Sequence, residues 1–71
     1  PKDPLSRLNY AKSRIPKEWF SRKNYIEIHQ DISTSTASRD LLFGIEKGIL
    51  KNRGYKNQLH YHFVETMGKN N

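Results

Sequence analysis

The stretch Ile32 to Leu50, ISTSTASRDLLFGIEKGIL, constrains the fold most, because a helix and the start of a strand are written there with almost nothing between them. Ser33 and Ser35 are both N-cap candidates, since a serine hydroxyl can accept a hydrogen bond from an otherwise unpaired N–H of a first helical turn. Ala37, Leu41 and Ile45, with Gly44 as a weaker member, recur at helical spacing and define one packing face. Gly48 ends the helix, because the left-handed position after a helix costs glycine little. The spacing predicts a helix over about 35–47, followed by a strand over 49–53. Thr34, Ser35, Thr36, Ser38 and Arg39 crowd the N-terminal end of that helix.

The flanking residues supply the rest of a small domain. Asp3 can cap a helix and Pro4 suits its first position, which predicts a helix over 4–14 with Leu5, Leu8, Ala11 and Ile15 on one face. Pro16 closes it, because the residue before a proline is pushed out of the helical region. Glu18-Trp19-Phe20 reads as a very short strand, with Trp19 packed on the core or covering it. Ser21 can cap a second helix reaching about residue 30, with Tyr25, Ile28 and Ile26 inward. Gln30-Asp31-Ile32 then forms a turn, with Ile32 plugging the corner. Gly54-Tyr55-Lys56-Asn57 reads as a turn in which Gly54 and Asn57 take positive φ. Residues 59–64 alternate at period two, placing Leu59, Tyr61 and Phe63 on a buried face and His60 and His62 on the outer one.

The order helix, short strand, helix, helix, strand, turn, strand is that of a winged helix-turn-helix. The expected class is therefore mainly α with a small β-ribbon (α+β), three helices plus a two- or three-stranded wing. Seventy-one residues make one small domain, expected to be ordered over about 4–65 with a disordered polar tail at 66–71. The chain begins at Pro1, and the reading expects a fragment of a longer protein. With no cysteine, disulfides and thiolate metal sites are excluded, which fits a reducing cytoplasm. No apolar run approaches the roughly 20 residues that span a bilayer.

The formal net charge is +6, and a strongly basic domain invites an anionic partner. In the DNA-binding reading, the N-terminal half of the third helix enters the major groove, where recognition helices meet base edges. Thr34, Ser35, Thr36 and Ser38 face bases or phosphates there. Arg39 either contacts guanine or phosphate, or pairs with Asp40, Glu46 or a carbonyl at the edge of the core. Lys51, Arg53 and Lys56 are the cations of the wing, and Arg22 and Lys23 clamp the backbone from the second helix. Phosphate contacts of this kind position a domain but carry no sequence information.

Thr36-Ala37-Ser38-Arg39-Asp40-Leu41, with Ile32-Ser33 before it and Gly48-Ile49-Leu50 after it, resembles the winged helix at the C-terminus of Fic-family proteins. Phe20 to Tyr25 resembles the start of their second helix, and Gly54 to Phe63, with Tyr61, resembles their wing. DeoR-type repressors share the Arg-Asp-Leu and Gly-Ile-Leu parts. The likeness covers about residues 15–64. It implies a bacterial DNA-binding or regulatory module joined to a larger protein. It also implies that any AMP-transferring chemistry lies elsewhere, since the His-Pro-Phe signature and its glycine-rich loop are absent. The chain departs from the pattern at Gly44, where a leucine is usual, at Leu42 and Phe43, where polar residues are usual, and at Lys56-Asn57, where a Gly-Arg pair is common.

No catalytic residue, cofactor or metal site is expected. His60 and His62 share one face of a strand, but with only His29 and Glu65 as further candidates they fall short of a structural zinc set. The expected partner is double-stranded DNA, with no membrane role. The alternative is a protein-interaction module, a homodimer or a docked partner domain, meeting its partner through Leu42, Phe43 and Trp19.

Overall fold

A computed structural model describes residues 3–65. Three helices, α1 (Pro4–Arg14), α2 (Arg22–His29) and α3 (Thr34–Glu46), precede a two-stranded antiparallel ribbon of β1 (Leu50–Arg53) and β2 (His60–Phe63). This is a small α+β domain with the element arrangement expected of a winged helix. The expected disorder of 66–71 lies outside the described residues.

Local chemistry accounts for the helix ends. The Asp3 carboxylate accepts from the Ser6 N–H at 2.8 Å, and that bond holds the Asp3 carboxyl below its ordinary pKa. Ser21 and Asn24 form a reciprocal capping box at the start of α2, which satisfies two orphan donors at once. Gln30, at φ 69°, turns the chain from α2 toward α3. Gly48 takes φ 75° just beyond α3, as its position after the helix requires.

The helices meet at one buried carboxylate. Asp40 of α3 is 1% exposed. It accepts from Arg7 of α1 through Nε (2.5 Å) and Nη2 (2.9 Å), and from the Tyr25 hydroxyl of α2 at 2.8 Å. The Arg7 side chain is 13% exposed. Its bidentate bond to Asp40 raises its pKa further. Burial, followed by the bond to Asp40, pushes the Tyr25 phenol far above its ordinary value, so the hydroxyl stays a donor. Around this cluster lie Leu8, Ala11, Ala37 and Leu41. The ribbon adds Leu50 and Phe63, which face each other across the ladder, and Phe20 stacks on Phe63 at 5.4 Å between centroids.

Several sequence expectations change here. Asp40 pairs across 33 residues with Arg7, not with Arg39. Leu5 is 48% exposed, because the inward stripe of α1 runs through Arg7, Leu8 and Ala11 and leaves Leu5 at its edge. The Glu18–Phe20 strand shrinks to a single bridge between Phe20 and Tyr61, with both backbone bonds made (2.9 and 2.7 Å). Lys56, not Asn57, takes positive φ beside Gly54, and residues 56–58 form one 3-10 turn. β2 starts at His60, so Leu59 precedes the strand and, like Tyr61, is only half-buried.

Gly44 does not leave a gap where a leucine is usual. A Cβ there would sit 2.6 Å from Leu50 Cδ1 and 3.3 Å from Leu8 Cδ1. The missing side chain is the space into which β1 docks.

Removing Asp40 would strand a half-buried guanidinium and a buried phenol. Asp40→Ala is expected to cost about 3–5 kcal/mol, a large part of the 5–15 kcal/mol typical of whole domains; urea unfolding reads this, and a loss under about 1 kcal/mol contradicts the role given to the cluster. Acid should act through His29 of α2. Its Nε2 is buried without a hydrogen-bond partner, between the rings of Tyr10 and Tyr25. Burial lowers its pKa below the ordinary 6.5, while the Arg7 backbone and the Asp40 carboxylate pull the other way less strongly. The unfolded chain therefore takes up this proton first on acidification. The His29 contribution is fully present above about pH 6.5 and is lost as the pH falls through that value toward the folded pKa. Thermal melts from pH 7.5 to 5 should show a smaller acid loss in His29→Phe than in the parent chain.

Candidate nucleic-acid interface

The first turn of α3 holds most of the expected polar residues, and its capping sorts them. Ser33 is the N-cap: its Oγ accepts from the Thr36 N–H at 3.1 Å and donates to Thr36 Oγ1 at 3.0 Å. Ser35 lies inside the turn, 3.2 Å from the same hydroxyl. Ser38 Oγ accepts from Arg22 Nη1 at 3.0 Å, which ties α2 to α3 on the exposed side. Thr36 and Ser38 are thus half-buried and engaged, whereas Thr34, Ser35 and Arg39 are exposed. Among the described residues the one ion pair is Arg7–Asp40, so Arg39 is not drawn into a salt bridge with either Asp40 or Glu46.

A groove of about 510 Å³ opens between the start of α2, the start of α3 and the ribbon. Arg22 and Lys23 line it from α2, Thr34 from α3, Lys56 from the ribbon connection and Tyr61 from β2, with Glu27 the one carboxylate. The ordering is local in origin. The capping box fixes the first turn of α2, and so aims two adjacent basic residues outward. Gly54 allows the ribbon to turn tightly: a Cβ there would lie 2.1 Å from the Gln58 carbonyl oxygen. That turn brings Lys56 back over the groove. Burial raises the pKa of Tyr61, with the charge of Arg22 opposing it. Its phenol is protonated at neutral pH and available as a hydrogen-bond donor.

The ten sequence-predicted residues do not make one patch. Arg22, Lys23, Thr34 and Lys56 line the groove, and Ser35, Thr36, Ser38 and Arg39 continue along α3 beside Thr34. Lys51 and Arg53 stand elsewhere. Successive strand residues point to opposite faces, and the register pairs Lys51 with His62 and Arg53 with His60. These four share the outer face of the ribbon, while Leu50, Asn52, Tyr61 and Phe63 share the other. Trp19 covers the outer face: the Arg53 guanidinium lies 4.1 Å and the Lys51 ammonium 5.8 Å from its ring, and His62 meets it edge-on at 5.1 Å.

The sequence reading missed this platform and the place of Tyr61 in the groove. The signal was the pair Trp19-Phe20. In an extended segment two adjacent aromatics must face opposite sides, and Phe20 faces the core. The two histidines of β2 are engaged with the backbone. His60 Nδ1–H donates to the Gln58 carbonyl and His62 Nδ1–H to the Phe63 carbonyl, each at 2.8 Å. Among the described residues no three His, Cys, Asp or Glu side chains are grouped to hold a metal ion, and no helix is long and apolar enough to cross a membrane. Of the expected partner-docking residues, Leu42 is 57% exposed, Phe43 packs against the core and Trp19 is occupied by the ribbon cations.

No family model, curated protein or solved structure matches the chain. The class defined by fold and site is a small α+β domain carrying a cationic groove beside a capped helix end.

Capping assigns different weights to the two serines. Ser33→Ala is expected to lose about 1 kcal/mol in urea unfolding, and Ser35→Ala to lose far less; equal losses would contradict the assignment of the cap.

Proposed function

We propose that this chain is a DNA-binding winged-helix module of a bacterial cytoplasmic regulator, or of the C-terminal regulatory part of a Fic-type protein. It carries no catalytic role of its own. The observation that carries the reading is the groove, where cations from α2 and from the ribbon connection converge beside the exposed first turn of α3. B-DNA admits a helix in its major groove and presents phosphates on both sides. With α3 lying there by its N-terminal half, Thr34, Ser35 and Arg39 meet base edges. Arg22, Lys23 and Lys56 meet the flanking phosphates, and the neutral Tyr61 phenol adds a donor. The N-terminus of α3 favours anions as well, through its unpaired N–H groups.

A second reading, docking of a protein partner, rests on Leu42, which is exposed on α3. The two respond to salt differently. Binding through phosphates weakens steeply with salt, because each neutralised phosphate releases counterions, whereas binding through an apolar contact scarcely changes.

Fluorescence anisotropy of a labelled mixed-sequence duplex tests the proposal, at about 50 mM and 200 mM salt. Arg22→Gln with Lys56→Asn is the matched variant, since asparagine accepts the left-handed backbone of residue 56. The parent chain should bind at low salt and weaken at least tenfold at the higher salt. The variant should lower the slope of log K against log salt by about 2, at roughly 0.9 per phosphate lost. A folded chain that fails to bind at low salt overturns the proposal, and Leu42→Glu in a partner-binding assay then becomes the relevant variant.

A further inference from the structure

A second groove, of about 340 Å³, opens between the end of α1, the segment 18–20 and α2, and its charge is the reverse of the chain's. Ile15, Trp19, Phe20 and Ile28 give it an apolar floor, and Glu18 and Glu27 are its charged residues. No lysine or arginine lines it, although the formal net charge of the chain is +6. Both carboxylates are exposed, and among the described residues neither is in an ion pair. Unused backbone borders the same groove. Phe20 uses both its N–H and its C=O on Tyr61. In an extended segment the groups of the neighbouring residue point the opposite way, so the N–H and C=O of Trp19 point away from β2. They make no backbone hydrogen bond among the described residues. The segment 18–20 is thus a minimal third strand with an open outer edge, and an open edge is a template for a further strand.

We propose that this groove docks an extended, basic segment of a partner protein. The segment pairs its backbone with Trp19, places a large apolar side chain on the floor formed by Ile15 and Ile28, and brings lysine or arginine to Glu18 and Glu27. Charge complementarity selects this occupant. A nucleic acid or an acidic segment would meet two carboxylates with no cation beside them. A second copy of the chain would approach against the repulsion of like net charges. The volume lies near the lower end of the roughly 300–1,000 Å³ of ligand pockets, which suits an inserted side chain rather than a folded surface. The inference does not depend on the DNA-binding reading. Glu27 borders both grooves, yet the cations Arg22, Lys23 and Lys56 all line the other one, so a docked segment leaves them free.

The only tryptophan of the chain lines the groove, so its emission reports an occupant directly. The probe is a short synthetic peptide alternating lysine with leucine, titrated with no duplex present. It should shift the Trp19 emission saturably, and amide chemical-shift mapping should place the changes at Ile15, Glu18, Trp19 and Ile28. A peptide alternating lysine with serine should bind far more weakly, and one alternating glutamate with leucine should not bind. Methylating the backbone nitrogens of the lysine–leucine peptide should weaken it, because pairing with Trp19 needs its N–H groups. Glu18→Gln with Glu27→Gln should weaken the unmethylated peptide several-fold, the effect of two exposed charge pairs, while duplex binding stays at or above the parent level. If that variant fails to fold, the peptide comparison on the unaltered chain still decides the case. No binding of the lysine–leucine peptide at about 1 mM, equal binding of the serine or glutamate peptide, or changes centred on Leu42 would each overturn the proposal. So would parent-like peptide affinity in the folded Glu18/Glu27 variant, and unchanged binding of the methylated peptide would overturn the pairing with Trp19. A chain that binds the peptide as described but no duplex supports this site while overturning the DNA-binding reading.

Discussion

The Asp40 carboxylate is the point on which the three helices depend. It is buried, and a guanidinium and a phenol meet it at hydrogen-bond distance. Those partners come from α1 and α2, while the carboxylate belongs to α3. One cluster therefore sets the mutual placement of all three. A buried ion pair gains little over well-packed apolar groups, because desolvation offsets most of the Coulomb attraction. What it supplies is direction, since a bidentate Arg–carboxylate pair tolerates few geometries. Any register of α3 that moved Asp40 from Arg7 would leave charge buried and unmatched.

The functional geometry follows from that placement. With α2 and α3 fixed against each other, Arg22 reaches Ser38, and the first turns of both helices border the same groove. The ribbon is anchored separately. Leu50 fills the space left by Gly44, Phe63 stacks on Phe20, and the Phe20–Tyr61 bridge ties the ribbon to the segment entering α2. The polar residues that meet a nucleic acid in the proposed reading thus sit on two capped helix ends and a braced hairpin.

Local structure was legible in the sequence wherever its cause lay within a few residues. Asp3-Pro4, Ser21 and Gly48 each act through their nearest neighbours, and the three helices begin and end within a residue or so of the expected places. Features that depend on distant partners were hidden. The partner of Asp40 lies 33 residues away on α1, and nothing near Arg39-Asp40 marks it. The positive φ falls on Lys56, where the 3-10 turn begins, although the usual preference of asparagine pointed to Asn57. Period-two alternation assigned His60 and His62 correctly to one face, and applied to Lys51 and Arg53 it would also have placed those two on a shared face of β1. Grouping the wing cations by proximity in sequence obscured the two faces of the ribbon.

In the proposed reading, the groove and the first turn of α3 meet DNA, held in place by a core that binding leaves undisturbed. Amide chemical-shift mapping of the isotopically labelled chain, titrated with a short duplex, tests this most directly. The account predicts shifts concentrated at Arg22, Lys23, Thr34, Ser35, Arg39 and Lys56, with Leu8, Ala11 and Tyr10 of α1 unmoved. Shifts confined to Leu42 and its neighbours, or spread through α1 with the groove silent, would contradict it.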